Sequence, residues 1–400
     1  MRKIHPNQAE AIANALSTIL EENKRASRVL ENCLEEHPKW GARDRNLLYG
    51  AVYEILRWNR LYSFYAELKD TDVPYWSWLK TWCILNDYSI PDWNEMDCTP
   101  HLSKAKLLAL TPPPEAVEHS FPDWLFGLGE KELGGVWKKQ CIALNKQAGI
   151  SLRVNRLKAS PKKVQTELQE KYQVESVISK KYPDALLLPK GRKLSKNPLF
   201  THGYFEIQDA NSQQIAPFCQ VEPGMNVIDL CAGAGGKTLH FASLMHNKGV
   251  IKAYDVEPNK LKELNRRAKR AKLTLLEAAV LEDKTSLQEN TNWADVLLID
   301  APCSGLGTLK RSPEIKWNLQ PETLESLQAT QRELLNKGAN WVKKGGSMVY
   351  ATCSILPSEN EEQIVSFLES NADFSLVEEK TILPTKSAFD GFYMARLQKL

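Results

Sequence analysis

No run of about 18 apolar residues occurs anywhere in the 400-residue chain, so no segment is long and oily enough to span a bilayer. The opening, Met1-Arg-Lys-Ile-His-Pro6, leads into a polar helix containing Glu10 and has no apolar centre of the secretory kind. None of the eight cysteines stands in a C-x-x-C pair, which argues against a disulfide framework and a four-cysteine zinc site. No metal is expected, and a reducing cytoplasm is the default setting. Net charge is scarce as well: 52 Lys and Arg against 49 Asp and Glu leave +3 at pH 7, too little to argue nucleic-acid binding from the total.

The distribution of that charge says more. Residues 151–200 hold twelve Lys or Arg and four Asp or Glu. A phosphate backbone selects for such a local excess, although a merely solvated basic face has the same composition. Four hundred residues exceed what one core usually spans, so two or three domains are expected. Residues 1–140 read as all-helical. Ile12, Leu16 and Ile19 recur at helical spacing, Leu47 to Leu56 form a wide apolar stripe, and Trp76, Leu79, Trp82 and Cys83 form another. Eight of the eleven tryptophans precede residue 140 and most fall inside such stripes, which reads as core rather than base-stacking platforms.

Residues 145–205 read as a small α/β unit. Arg153, Arg156, Lys158, Lys162, Lys163, Lys180, Lys181, Lys190, Arg192, Lys193 and Lys196 decorate it, a surface for positioning RNA through phosphates rather than bases. From 206 to 400, strands and helices alternate at doubly wound spacing. Strands are expected at 226–230, 250–254, 276–279, 296–299 and 347–350, with helices at 237–246, 258–271 and about 321–343. The basic helix at 260–272 reads as a solvated face.

One stretch organises this last region: Val227-Ile-Asp-Leu-Cys-Ala-Gly-Ala-Gly-Gly-Lys-Thr238. It reads as a buried strand, a glycine turn and a helix start, the place where open α/β sheets bind nucleotide-like ligands. A phosphate loop needs a glycine five places before Gly236, and Cys231 stands there. A dinucleotide fingerprint starting at Gly233 needs a third glycine at 238, which is Thr. Asp229, just before the turn, suits a ligand with an ammonium group better than a pyrophosphate. S-adenosylmethionine is therefore the expected ligand; a ligand-free tight turn and an ATP site remain as alternatives. Asp255 ends the next strand, where an acid accepts hydrogen bonds from ribose hydroxyls. Asp283, with Glu282 nearly as good, follows the third strand and could sit by the adenine.

Two cysteines stand at strand ends, Cys303 in Asp300-Ala-Pro-Cys-Ser-Gly305 and Cys353 in Ala351-Thr-Cys-Ser354. A lone cysteine there is usually a small hydrophobe. A pair beside an aspartate fits a harder task. Carbon 5 of cytosine is a poor nucleophile, and a thiolate added to carbon 6 converts the ring to an enamine that can attack an electrophilic methyl group. Ring nitrogen 3 must then be protonated, which the Asp300 carboxyl could do as a general acid. A base must later remove the carbon 5 proton so that the thiol can leave. Exocyclic-amine methylation needs no thiolate and usually shows an Asn/Asp-Pro-Pro-aromatic motif, which is absent. This chemistry does not order the two sulfurs; the Pro-Cys setting of Cys303 matches the attacking cysteine of DNA cytosine methyltransferases.

The segments Asp300–Trp317, Tyr350–Asn360, Gly203–Asp209 and Asp390–Ala395 resemble the signature segments of the Sun (NOL/NOP/Sun) family of RNA cytosine-5 methyltransferases. His5, Ser27-Arg-Val-Leu30 and Gly41–Val52 resemble the helical NusB-type RNA-binding domain, a layout found in bacterial ribosomal RNA members. The resemblance implies an α/β fold. Its Rossmann-like, S-adenosylmethionine-dependent methyltransferase domain (206–400) follows a small basic α/β subdomain (145–205) and an all-helical NusB-like domain (1–140). It implies Cys353 as the attacking thiol, Cys303 as the residue assisting release, and a cofactor site lined by Cys231, Ala232, Gly233, Ala234, Gly235, Gly236, Lys237, Asp255, Asp283 and Asp300. The family's usual Ala-Pro-Gly-Gly-Lys turn is Gly233-Ala-Gly-Gly-Lys237 here, which loosens the turn but keeps both glycines and the lysine. Lys310, Arg311 and Lys316, following the Pro-Cys loop, are expected to hold phosphates near an unstacked target base. The expected substrate is small-subunit ribosomal RNA, with transfer RNA as runner-up, and a monomer is the simplest state. A non-catalytic RNA-binding assembly factor is the competing reading.

Overall fold

The computed structural model describes residues 2–69, 74–89, 93, 102–103, 112–189, 194–281 and 290–400. Two compact units result. One comprises Met1–Lys146 together with Leu309–Pro321, and the other comprises Gln147–Thr308 with Glu322–Leu400.

The first unit is helical: α1 (Pro6–Glu21), α2 (Ala26–Glu36), α3 (Ala42–Tyr65), α4 (Tyr75–Leu85), α5 (Asp123–Leu133) and α6 (Trp137–Leu144). Proline at the first position of α1 costs no hydrogen bond, and Gln8 closes the start by accepting from the His5 amide at 2.9 Å. Ile12, Leu16 and Ile19 of α1 meet Leu48, Val52 and Ile55 of α3 and Leu79 and Trp82 of α4, all buried. Trp40, Trp78, Trp82 and Trp137 are likewise buried, in keeping with a core role. Two short strands, Arg2–Lys3 and Tyr88–Ser89, pair in parallel within this unit.

The second unit holds two sheets. The smaller contains β1 (Ile150–Val154), β2 (Val177–Ile178), β3 (Ala185–Leu188) and β4 (Phe205–Ile207), antiparallel in the order β2-β3-β1-β4. Its helix α7 (Pro161–Tyr172) starts on Ser160, whose hydroxyl accepts from the Lys163 amide at 3.3 Å. Val164 and Leu168 of α7 pack onto Leu152, Val154 and Leu186.

The larger sheet follows: β5 (Asn226–Asp229), α8 (Thr238–Leu244), β6 (Val250–Asp255), α9 (Pro258–Ala271), β7 (Leu276–Val280), β8 (Ala294–Asp300), α10 (Pro321–Ala339), β9 (Val342–Thr352), α11 (Glu361–Ser370), β10 (Phe374–Ile382) and β11 (Phe392–Lys399). Strand order is β10-β11-β9-β8-β5-β6-β7, with β9 to β7 parallel and β10 and β11 antiparallel. Its central strands are apolar on both faces, as a covered parallel sheet requires. Ile228, Leu297, Ile299, Met348 and Tyr350 share one core with Leu334 and Leu335 of α10, whereas Val227, Val296, Leu298 and Val349 share another with Phe241 of α8. The chain leaves β5 for β6 on one side and later returns to β8 on the other. That reversal opens a crevice at the strand ends. Among the described residues, no helix is long and apolar enough to cross a membrane.

Candidate active site

Strands β9, β8, β5 and β6 lie side by side, and the carboxyl end of each delivers one part of the site. Asp300 of β8 is in register with Ala351 of β9, so the loops carrying Cys303 and Cys353 begin next to each other. Their sulfurs lie 3.3 Å apart. The Cys303 thiol is pushed well up, first by its hydrogen bond to Cys353 and then by burial. Cys231 is driven the same way by burial and by the nearby charges of Asp300, Asp229 and Asp255, which makes it an inert thiol lining the crevice.

Asp300 carries the next part. The Lys237 ammonium donates to its carboxylate at 2.5 Å. Burial works to lower the Lys237 pKa, but the charge and hydrogen bond of Asp300, with the charge of Cys353, outweigh it and the net shift is upward. Lys237 is therefore held as a cation against the Asp300 carboxylate. The sequence placed it only in the cofactor turn; its contact with Asp300, 63 residues away, needs the β5–β8 pairing.

The glycine turn leaves β5. At Gly233, φ is +56° and open space lies where a Cβ would stand, so the backbone faces the crevice bare. Gly235, at φ +83°, is packed instead: a Cβ there would meet Leu239 at 2.7 Å and Leu264 at 2.8 Å. Three groups brace the turn. Asp255 accepts from the Gly233 amide at 2.8 Å, Arg267 donates to the Ala234 carbonyl at 2.6 Å, and Arg153 donates to the Gly236 carbonyl. Asp229, fully buried, takes the Thr238 hydroxyl on one oxygen at 2.6 Å and has no partner on the other. Burial raises its pKa to about 7.

Several expectations need correcting. Arg153 does not decorate an RNA-facing surface; it is buried, bound to Gln208 at 2.6 Å and to the glycine turn. The helix at 258–271 is more than a solvated face, because Arg267 and Arg270 clamp the buried Glu206 at 3.0 and 2.5 Å. Lys316 is fully buried. Its ammonium donates to the Arg57 carbonyl at 2.8 Å and to Asn145 at 3.1 Å and lies over the rings of Phe121 and Trp317. Lys310 is buried too, its carbonyl accepting from Arg57 at 2.7 Å, so neither lysine presents itself to a phosphate. Arg311 is half-buried. The segment they share belongs to the helical unit, which no local pattern in the sequence announces. Lys162, Lys163, Lys180, Lys181 and Lys196 are exposed as expected. Asp283, Glu282, Lys190, Arg192 and Lys193 lie outside the described residues.

Residues 218–398 match the model of the family described as 16S rRNA methyltransferase RsmB/F, and residues 121–195 match its ferredoxin-like domain. The probable ribosomal RNA small subunit methyltransferase B of Synechocystis is 34% identical over 301 residues, covering 70% of this chain and 67% of that protein.

The chain belongs to the RsmB/F methyltransferase family.

Solved structures agree. The crystal structure of PH0851 is 27% identical, with TM-score 0.84 and 99% of each chain covered. A methyltransferase homologue from Pyrococcus horikoshii, also 27% identical, aligns with TM-score 0.62 over 72% of this chain and 98% of its own. The cofactor of this RsmB/F-family chain is S-adenosylmethionine, and the residues present fit it. A bare glycine turn, the Asp255 carboxylate at the end of β6 and an unpartnered Asp229 oxygen beneath the turn form an acceptor-rich cradle, and Lys237 is committed to Asp300.

Proposed function

We propose that the chain methylates carbon 5 of a cytosine in small-subunit ribosomal RNA, with Cys353 as the attacking thiol and Cys303 assisting release. The observation that carries this reading is the pair of sulfurs at 3.3 Å beside the Lys237–Asp300 ion pair. S-adenosylmethionine, held by residues 231–237 and Asp255, supplies an electrophilic methyl group.

The residues divide the remaining work. The Cys353 sulfur adds to carbon 6, breaking the 5,6 double bond and placing electron density on carbon 5 and nitrogen 3. Asp300 and Lys237 serve that nitrogen: the Asp300 carboxylate takes the proton that the Cys353 thiol loses and passes it to nitrogen 3, from which it returns on release, and the Lys237 ammonium stabilises the charge that moves there. After methylation the carbon 5 proton must leave and the carbon–sulfur bond must break. Cys303, 3.3 Å from the leaving sulfur, balances this step: it passes its proton to the departing Cys353 sulfur and, as thiolate, takes the carbon 5 proton, whose electron pair re-forms the 5,6 double bond. The exposed lysines of the small sheet domain supply phosphate contacts, and the RNA specificity follows the named activity of the Synechocystis relative.

Bisulfite sequencing of cellular RNA with and without the gene locates the product, and Cys353→Ala and Cys303→Ala separate the roles. Cys353→Ala is expected to abolish methylation and covalent adduct. Cys303→Ala is expected to trap protein on RNA, because the adduct then forms but is not released. Full methylation by the Cys353 variant, or no trapping by the Cys303 variant, overturns the assignment.

A further inference from the structure

Beneath the two cysteine loops sits a buried acid that the reaction itself does not use. Glu359, in the short turn Pro357–Glu359, is completely buried. One of its carboxyl oxygens accepts from the Ser304 amide at 2.8 Å and from Gln331 at 3.1 Å. The other accepts from the Ser304 hydroxyl and the Ser354 hydroxyl, each at 2.5 Å. Ser304 follows Cys303, and Ser354 follows Cys353. The preceding residues are held from the same place. Gln331 also donates to the Pro302 carbonyl at 3.0 Å, and the neighbouring Asn360 accepts from the Thr352 hydroxyl at 2.6 Å and donates to the Ser354 carbonyl at 3.4 Å. Tyr350 fixes the turn in return, its hydroxyl donating to the Glu359 carbonyl at 2.7 Å. Each cysteine is thus flanked on both sides by residues tied to Glu359, Asn360 or Gln331, and Gln331 is itself bound to Glu359.

The structure assigns Glu359 as the positioning residue that spans both cysteine loops and sets the distance between the two sulfurs. The assignment rests on the two-sulfur reading of the site proposed above. Burying a carboxyl group whose four contacts are all neutral donors is expensive, and an apolar side chain would fill the space at lower cost. What an apolar residue lacks is the ability to hold two loops whose cysteines stand 50 residues apart in the chain. The charge of Glu359 adds to the raised Cys303 pKa, after the larger effects of Cys353 and burial. It touches no reacting atom.

Glu359→Gln tests this, because it keeps the volume but replaces the oxygen that binds both serine hydroxyls. Two readouts are needed. In the free protein, without RNA or cofactor, a bifunctional thiol reagent such as dibromobimane bridges Cys303 and Cys353, and peptide mass spectrometry identifies the bridge. Under methylation conditions, kcat and the KM for RNA are measured. Bridging is expected to slow about tenfold and kcat to fall about 100-fold with KM unchanged, the scale set by misplacing reacting groups by about 1 Å. Glu359→Asp, which keeps the acceptor oxygens but withdraws them by one methylene, is expected to recover part of the lost kcat. Ser354→Ala removes one strap, leaves the carboxyl three donors, and is expected to fall between wild type and Glu359→Gln; it carries the test if the Gln variant does not fold. Folded Glu359→Gln, or Ser354→Ala in its place, that bridges and turns over within about twofold of wild type overturns the assignment. Should the wild type bridge its sulfurs yet leave every cytosine unmethylated, the proposed reaction fails, and the bridging rates of the variants still decide the role of Glu359.

Discussion

Gly307→Ala is the sharpest single perturbation the site offers. Gly307 lies between two backbone segments: its amide donates to the Cys353 carbonyl at 2.8 Å, and its carbonyl accepts from the Gly391 amide at 2.8 Å. A Cβ there would stand 2.4 Å from the Gly391 oxygen and 2.6 Å from the Cys353 oxygen, both backbone atoms that cannot swing aside. Restoring a tolerable contact of about 3.2 Å requires the segments to part by roughly 0.8 Å. Overpacking of this kind costs about 1–3 kcal/mol of stability. The larger effect falls on the reaction. The Cys353 backbone moves by an amount comparable to the misplacement that costs on the order of 100-fold in rate. The glycine turn belongs to β5 rather than to this contact, so S-adenosylmethionine affinity is expected to stay within about twofold. The assay is single-turnover methyl transfer to RNA at saturating cofactor, with calorimetric cofactor binding as control. A Gly307→Ala protein that transfers methyl groups at the wild-type rate refutes the claim that this close approach holds Cys353 in place.

Other expectations follow from the same geometry. Asp255→Asn removes the charged acceptor of the Gly233 amide and is expected to weaken cofactor binding about tenfold, with calorimetry as the check. Two buried groups make opposite contributions to acid stability. His240, lowered by burial to about 4, is stabilising above its unfolded value of 6.5, and that stability is lost as pH falls toward 4. Asp229, raised to about 7, contributes stability that is full below 3.8 and lost as pH rises through 7. The two oppose each other between about pH 4 and 6.5, each on the order of 3–4 kcal/mol. Denaturant melts should therefore show stability rising with pH in Asp229→Asn and falling with pH in His240→Gln; the same slope in both variants contradicts the assignment. Lys316→Met strands the Arg57 carbonyl and Asn145, so it is expected to lower stability by about 1–3 kcal/mol without altering the salt dependence of RNA binding. Replacing the exposed Lys162 and Lys163 is expected to flatten that salt dependence by about 1.4–1.8 units of slope, as loss of two phosphate contacts requires.

The parallel part of the large sheet was legible because each strand is a short apolar run ending in a chemically loaded turn, and Asp229, Asp255, Asp300, Cys303 and Cys353 mark those ends. The helix Pro258–Ala271 was legible to the residue from its proline start and its 3.6-residue stripe. Strand β10 was not, because Val377, Glu378, Glu379 and Lys380 lie exposed at the sheet edge and show no buried alternation. Charge misled in the other direction. Arg153 and Lys316 look like surface residues in any window, and each is buried by partners 83 and 259 positions away. The Lys237–Asp300 pair has the same origin: both residues were picked out, but only strand order makes them neighbours.

The detour of Leu309–Pro321 has a consequence for how the molecule is made. Trp317 bonds the Leu56 carbonyl at 2.6 Å, and Glu314 accepts from the Ala26 amide at 3.2 Å, so this late segment completes a unit whose other residues were synthesised first. A nascent chain that has reached residue 146 has helices α1 to α6 of that front but not its closing piece. The front must wait, unfinished, for about another 170 residues at some 5–20 per second. Cutting the gene after residue 146 would freeze that interval permanently, leaving one fragment unsealed and the other trailing a segment with nothing to fold into.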